Sequence, residues 1–358
     1  MAMDIVDFLQ MLVEKDGSDL FFRAGSTVRM RLNGQVLAVT ETQVSIDDIE
    51  MALQKLLSEE ARELFRKAKD IDFAYFEQGL RRRFRISIFM QRNWPSIVCR
   101  NIPPVTKSLE DLKVPAEILK KLSMERRGIV LLTGTMGSGK STTIASMVEY
   151  INNNAYKHIF TLEEPIEFTF SDKKSLINQR EIGKDVTSYP LALRAFTLQS
   201  PDVIYIGNIR DYETMLAALT VAETGVLVLS TLHTVNASQT VERMINFFPP
   251  HQHQQIRTQL SFLLKGVVSL RLIPIKDGTA RVPAAEVMTL TPTIGRLIRE
   301  GKIGEIPRFL EESELFGMMS FNQSLSRLVK DGLISEKEAM EYADSKDELI
   351  LALKGIKK

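Results

Sequence analysis

Only one of the 358 residues is a cysteine, Cys99, so no intramolecular disulfide can form and no multi-cysteine zinc site can be built. That fits a reducing compartment. Neither sign of charge dominates. Forty-six basic and 45 acidic side chains leave a net +1, so no global field favours nucleic acid or an anionic membrane. Long hydrophobic runs are also missing. The longest uncharged stretch, Thr224 to Val241, is broken by His233, Asn236 and several hydroxyl residues, too polar to span a bilayer. Met1 to Asp19 carries charges throughout and has no apolar stretch of the signal-peptide kind. These absences predict a cytoplasmic chain without direct membrane insertion. There is no internal repeat and no low-complexity tract.

What is present is an ordinary globular composition, 44% apolar and 25% charged, at a length that allows two domains. Residues 1–100 mix a helical start (Ile5, Phe8, Leu9, Leu12) with strand-like pieces, Val28–Leu32 and Arg83–Phe89, punctuated by Gly17, Gly25 and Gly34. This predicts an N-terminal α+β domain. The paired prolines Pro103 and Pro104 mark a linker, taken as 101–113. From 114 to 290, short apolar strands at 128–133, 158–162, 202–206 and 226–231 alternate with helical segments. That alternation predicts an α/β layer structure with a mainly parallel sheet. Residues 291–358 read as almost entirely helical.

The most specific signal is Gly134-Thr135-Met136-Gly137-Ser138-Gly139-Lys140-Ser141, a complete G-x-x-x-x-G-K-[ST] phosphate loop. It follows the apolar run Gly128–Thr133. It precedes Ile144, Met147, Val148 and Ile151, which recur on one helical face. The backbone N–H groups of such a loop close around phosphates at the positive end of a helix. The candidate nucleotide-binding residues are therefore Gly134, Thr135, Gly137, Ser138, Gly139, Lys140, Ser141 and Thr142. Lys140 would pair with β/γ-phosphate oxygens of ATP, and Ser141 would hold Mg²⁺.

Three later segments end strands in polar residues, where open α/β sheets place their ligands. Glu163, Glu164 and Glu167 leave the strand at 158–162; they suit a metal or a water, and a charged turn has the same composition. The strand at 202–206 ends in Gly207-Asn208. A carboxylate there would polarise the attacking water, whereas an amide orients water but cannot take its proton. The strand at 226–231 ends in Leu232-His233, a structural histidine or a sensor of the γ-phosphate. In Arg81-Arg82-Arg83-Phe84-Arg85, strand alternation sets Arg83 and Arg85 opposite Phe84, Ile86 and Ile88. That is either a solvated face or arginines offered, with Arg92, to a neighbour's phosphates.

Taken together, these segments resemble the type IV pilus retraction ATPases, the PilT/PilU family, over nearly the whole chain. The resemblance rests on Gly17-Ser18-Asp19-Leu20-Phe21, Arg83-Phe84-Arg85, Gln91-Arg92 and the phosphate loop. It continues through Glu163 to Glu167 (an "Asp box"), Ala222 to Gly225 with Thr231-Leu232-His233 (a "His box"), Thr291 to Arg299, and the tail from Gly317 to Ser345. Phe21, Asn246-Phe247-Phe248-Pro249 and Arg271-Leu272-Ile273-Pro274 lean towards the PilU side. The resemblance implies an α/β, two-domain, P-loop (RecA-like) secretion ATPase with a PAS-like N-terminal α+β domain and a helical C-terminal extension. It implies a cytoplasmic homo-hexamer with ATP and Mg²⁺ between subunits. Ser141 and Glu163 would serve the metal, Glu163, Glu167, Asn208 and His233 the chemistry, and Arg83 and Arg92 would act in trans. The implied partners are the inner-membrane pilus platform protein and an active retraction ATPase paralogue, with no nucleic acid.

Departures from the family pattern gather at one site. Asn208 stands where members carry the general-base glutamate, Leu198-Gln199-Ser200 replaces an arginine and an acidic residue, and Val226 replaces a histidine. Two readings follow: a motor or accessory motor for retraction, or a nucleotide-binding regulatory subunit poor in hydrolysis. Assembly-type relatives with a four-cysteine zinc module are disfavoured because only Cys99 is present. A DNA-translocating ring is disfavoured by the lack of basic tracts beyond Arg81–Arg85.

Overall fold

The computed structural model describes residues 3–32, 34–102, 107–276, 280–313 and 317–354. They divide into two compact units: Met1–Pro104 with Pro165–Thr169, and Val105–Glu164 with Phe170–Lys358.

The first unit contains α1 (Ile5–Glu14), β1 (Asp19–Arg23), β2 (Thr27–Leu32), β3 (Gln35–Gln43), α2 (Ile46–Leu56), α3 (Glu59–Ala68), β4 (Asp70–Glu77), β5 (Arg82–Gln91) and β6 (Trp94–Ile102). Its sheet runs β3-β2-β1-β6-β5-β4, antiparallel throughout. Helix α1 starts where the Asp4 carboxylate accepts the Val6 N–H, and it buries Ile5, Phe8, Leu9 and Leu12 as their spacing predicted. The predicted alternation on β5 also holds, with Phe84, Ile86 and Ile88 buried. The β5–β6 hairpin turns through Arg92 (φ 47°) and Asn93 (φ 65°), while Gln91 faces Trp94 across the ladder. Two left-handed residues in such a turn are the geometry that normally selects Asn-Gly, so Arg92 at the tip occupies a costly conformation. Strand β6 runs through Asn101 and Ile102, where the linker was expected to begin; 103–106 lie outside the described residues.

The second unit comprises α4 (Ala116–Ser123), β7 (Gly128–Thr133), α5 (Lys140–Asn154), β8 (His158–Glu163), β9 (Leu176–Glu181), α6 (Tyr189–Phe196), β10 (Val203–Ile206), α7 (Tyr212–Glu223), β11 (Leu227–Leu232), α8 (Ala237–Asn246), α9 (His253–Leu263), β12 (Leu264–Pro274) and β13 (Arg281–Thr289). The helices α10 (Pro292–Glu300), α11 (Ile306–Glu312), α12 (Phe321–Lys330), α13 (Glu336–Tyr342) and α14 (Lys346–Leu353) follow. The sheet order is β13-β12-β7-β11-β10-β8-β9, parallel except for β12 with β13. Strands covered on both faces read as continuous apolar runs. On β7, Ile129 and Leu131 enter the core shared with α6 to α11, while Val130 and Leu132 enter the one shared with α4 and α5. The four predicted strands are present, and β9, β12 and β13 extend the sheet beyond them. Among the described residues no helix is long and apolar enough to cross a membrane.

Candidate functional site

The parallel strands β7, β11, β10 and β8 lie side by side, so their C-terminal ends share one edge of the sheet. At the end of β7 the chain turns through Gly134 (φ 138°), Gly137 (φ 75°) and Gly139 (φ 94°), then enters α5 at Lys140. Residues with side chains rarely adopt those angles, and at Gly134 space is closed as well. A β-carbon there would lie 2.5 Å from the Leu270 carbonyl oxygen and 2.6 Å from Ser138 Oγ. Lys140 is only 6% exposed, and its Nζ donates to the carbonyls of Gly134 and Thr135, both at 2.8 Å. Ser138 Oγ is buried with no hydrogen-bond partner. First-turn N–H groups of a fifteen-residue helix, a lysine ammonium and an unsatisfied hydroxyl together favour an anion with several oxygens.

The next strand ends carry the remaining candidates of this unit. Gly207, just past β10, is fixed from both sides: its N–H donates to the Leu162 carbonyl (2.8 Å) and its carbonyl accepts from Thr231 Oγ1 (2.7 Å). Asn208 follows, 9% exposed, with its Oδ1 buried and lacking a hydrogen-bond partner. Glu163 closes β8 and is 3% exposed; its Oε1 accepts from Thr161 Oγ1 at 2.7 Å and from Gln179 Nε2 at 3.4 Å. His233 follows β11. Burial, then the positive charges of Lys140 and Arg210, lower its pKa, so its field links the phosphate loop to the segment beyond Asn208. Arg210 also approaches Glu164 (3.6 Å).

Glu163, Asn208 and His233 thus share one sheet edge with Lys140, whereas Glu167, Arg83 and Arg92 belong to the first unit. Sequence reasoning passed over Tyr189. A β-carbon at Gly207 would lie 3.5 Å from its hydroxyl and 3.4 Å from Glu163 Cα. Burial, then Glu164 and also Glu163, push its phenol upward against the opposing Arg210, so it stays a proton donor. It also passed over Thr161 and Gln179, and no local pattern marks any of the three.

Residues 2–315 match the model of a family described as type II/IV secretion system protein. The chain is 41% identical over 352 residues to the type IV pilus ATPase PilU of Pseudomonas aeruginosa, covering 98% of this chain and 92% of that one. It is 38% identical over 341 residues to the type IV pilus retraction ATPase PilT of the same organism, covering 95% and 98%. A crystal structure of the pilus retraction motor PilT with bound ADP superposes with a TM-score of 0.89 at 37% identity, over 97% of this chain and 98% of that one. The ATPase DotB of Legionella pneumophila shares the fold, with a TM-score of 0.79 at 23% identity over 98% and 97%.

Proposed function

Because the chain belongs to the type II/IV secretion system protein family, we propose that it is an ATP-binding motor or accessory motor subunit for type IV pilus retraction. The observation that carries this reading is the complete phosphate loop, with Lys140 at its mouth, on the same sheet edge as Glu163, Asn208 and His233. Backbone N–H groups from Gly137 to Thr142 would cradle the β- and γ-phosphates, and Lys140 would exchange its loop carbonyls for phosphate oxygens. Ser141 and Glu163 offer hard oxygen donors, which suit Mg²⁺. Among the described residues no group of three or more His, Cys, Asp or Glu side chains could hold a metal by itself. Mg²⁺ fits that sparse set because it takes one or two protein oxygens and completes its shell with phosphates and water. When bound it would neutralise charge on the phosphates.

Asn208 would orient the attacking water through its unsatisfied Oδ1 without accepting a proton. Glu163 and Glu167 are the carboxylates left to assist. His233 would report nucleotide charge, since it already feels Lys140. Arg83 and Arg92 would act on a neighbouring subunit's phosphates in a cytoplasmic homo-hexamer; the strained hairpin tip that carries Arg92 supports this. The ring would pass its motion to the inner-membrane pilus platform protein, beside an active retraction ATPase paralogue.

Asn208 favours a second reading, in which the subunit binds and holds nucleotide but turns it over poorly. Losing a positioned general base costs on the order of 10²–10⁴ in rate. Phosphate release at saturating Mg-ATP, with Lys140→Ala as the blank, separates the two. Turnover well above the blank supports a motor in its own right. Turnover at the blank, restored by Asn208→Glu, supports the regulatory subunit.

A further inference from the structure

We propose that Thr161 and Gln179 are positioning residues that fix the carboxylate of Glu163 for Mg²⁺, an inference that rests on the metal-holding role of Glu163. A carboxylate this deeply buried needs hydrogen-bond donors aimed at it. Two such donors converge on the same atom, Oε1: the Thr161 hydroxyl at 2.7 Å and the Gln179 amide at 3.4 Å. Thr161 lies two residues back on β8, so strand alternation sets both side chains on the same face. Gln179 comes from the neighbouring β9, where it pairs in register with Thr161.

The amide's orientation is fixed independently. Gln179 Oε1 accepts the backbone N–H of Phe170 at 3.0 Å. Turning the amide over would set its oxygen against the carboxylate and its NH₂ against an N–H, losing both bonds. The Gln179 NH₂ is thereby turned towards Glu163. Phe170 is also the residue at which the chain re-enters this unit after Pro165–Thr169. The carboxylate is consequently tied, through one amide, to the far end of the segment that leaves immediately after Glu164.

Two donors converging on one oxygen fix the direction of the carboxylate. Removing the outer partners of a metal ligand typically weakens metal affinity by about 10- to 100-fold. A purely structural role, tying β9 to β8, would lower stability and leave metal dependence alone.

The test is the Mg²⁺ concentration that half-saturates the metal-dependent tightening of a fluorescent ATP analogue, on full-length protein stripped with EDTA. Thr161→Val keeps the side-chain shape and removes the donor. It should raise the half-saturating Mg²⁺ about 10-fold or more, while metal-free binding of the analogue stays unchanged. Gln179→Leu, at a half-buried edge position less prone to unfold the protein, should raise it several-fold, in keeping with the longer bond. Thr161→Ser restores the donor and should return the value towards that of the parent. Unchanged Mg²⁺ dependence in Thr161→Val and Gln179→Leu, with a clear rise in Glu163→Gln, would overturn the positioning role alone. An unchanged value in Glu163→Gln would overturn the role of Glu163 itself, and this inference with it.

Discussion

The ends of β7 and β10, on either side of β11, are built on different principles. At the end of β7 the specification lies in the backbone. Three glycines take positive φ, one packs against a carbonyl with no room for a β-carbon, and a helix opens at once behind them. At the end of β10 the backbone is ordinary and tied on both sides to its neighbours, and what is distinctive is one side chain, the buried amide of Asn208. Replacing its glycines would damage the first arrangement, whereas the second can exchange its side chain and keep its fold. On the proposed reading, phosphate binding and water activation are therefore separable, and a chain can keep the one while losing the other.

The largest effects should come from crossing the two ends. On the hydrolysis-poor reading, Asn208→Glu supplies a proton acceptor and should raise phosphate release by on the order of 10²–10⁴, with the affinity for a fluorescent ATP analogue unchanged. Lys140→Ala should weaken that affinity by on the order of 10²-fold, the loss expected for charge-assisted bonds. An Asn208→Glu protein that loses as much affinity as Lys140→Ala would break the separation. Next come the glycines. Gly134→Ala forces a β-carbon to 2.5 Å from the Leu270 carbonyl oxygen, and thermal unfolding should show a cost on the order of 2–4 kcal/mol. Gly207→Ala meets its nearest atom at 3.3 Å on an ordinary backbone and should cost under about 1 kcal/mol. Equal costs would mean that backbone conformation does not distinguish the two ends.

The same contrast governs what could be read without coordinates. The phosphate loop is a local pattern whose residues act within eight positions, and β7, β8, β10 and β11 are short, mainly apolar runs, so all were legible. Strand β9 (Leu-Ile-Asn-Gln-Arg-Glu) lies at a sheet edge and keeps polar residues, so no apolar run announces it. Strand β12 follows α9 without a turn residue, which hides the change of period. Gln179 reaches Glu163 only because β9 pairs with β8, and Tyr189 approaches Gly207 only through tertiary packing. The presence of Asn208 was readable; the burial of its oxygen without a partner was not.

The strand end between the two has its own titratable support. Glu286 on β13 accepts the N–H of Ala237, the first residue of α8, at 2.6 Å. Burial pushes its carboxyl up to about 7, with Asp344 adding to the rise and the Ala237 N–H and Arg271 opposing it. The folded protein keeps this proton where the unfolded chain has released it. Stability should therefore fall as pH rises from 4.5 to about 7, and stay reduced above. Glu286→Gln keeps an oxygen for Ala237 and cannot ionise. It should flatten that slope and add up to about 3 kcal/mol at pH 8, read by chemical denaturation. Asn208→Glu, at another strand end, should leave the slope in place.

The smallest effect is the most direct probe of communication between the ends. His233 is lowered by burial, then by Lys140 from one region and Arg210 from the other. Removing either cation relieves the imidazolium, so Lys140→Met and Arg210→Gln should each raise the His233 pKa in an NMR titration, Lys140→Met the more. In the parent protein the depressed pKa means that the unfolded chain takes up the proton first. The stability His233 provides near neutral pH is lost as pH falls from 6.5 through its folded value. ATP brings negative charge to Lys140 and should move His233 in the same direction as removing the lysine. An ATP-induced rise that persists in Arg210→Gln would locate the signal in the phosphate loop. A His233 indifferent to both cations would leave the two strand ends electrostatically independent and remove the ground for a sensor at this position.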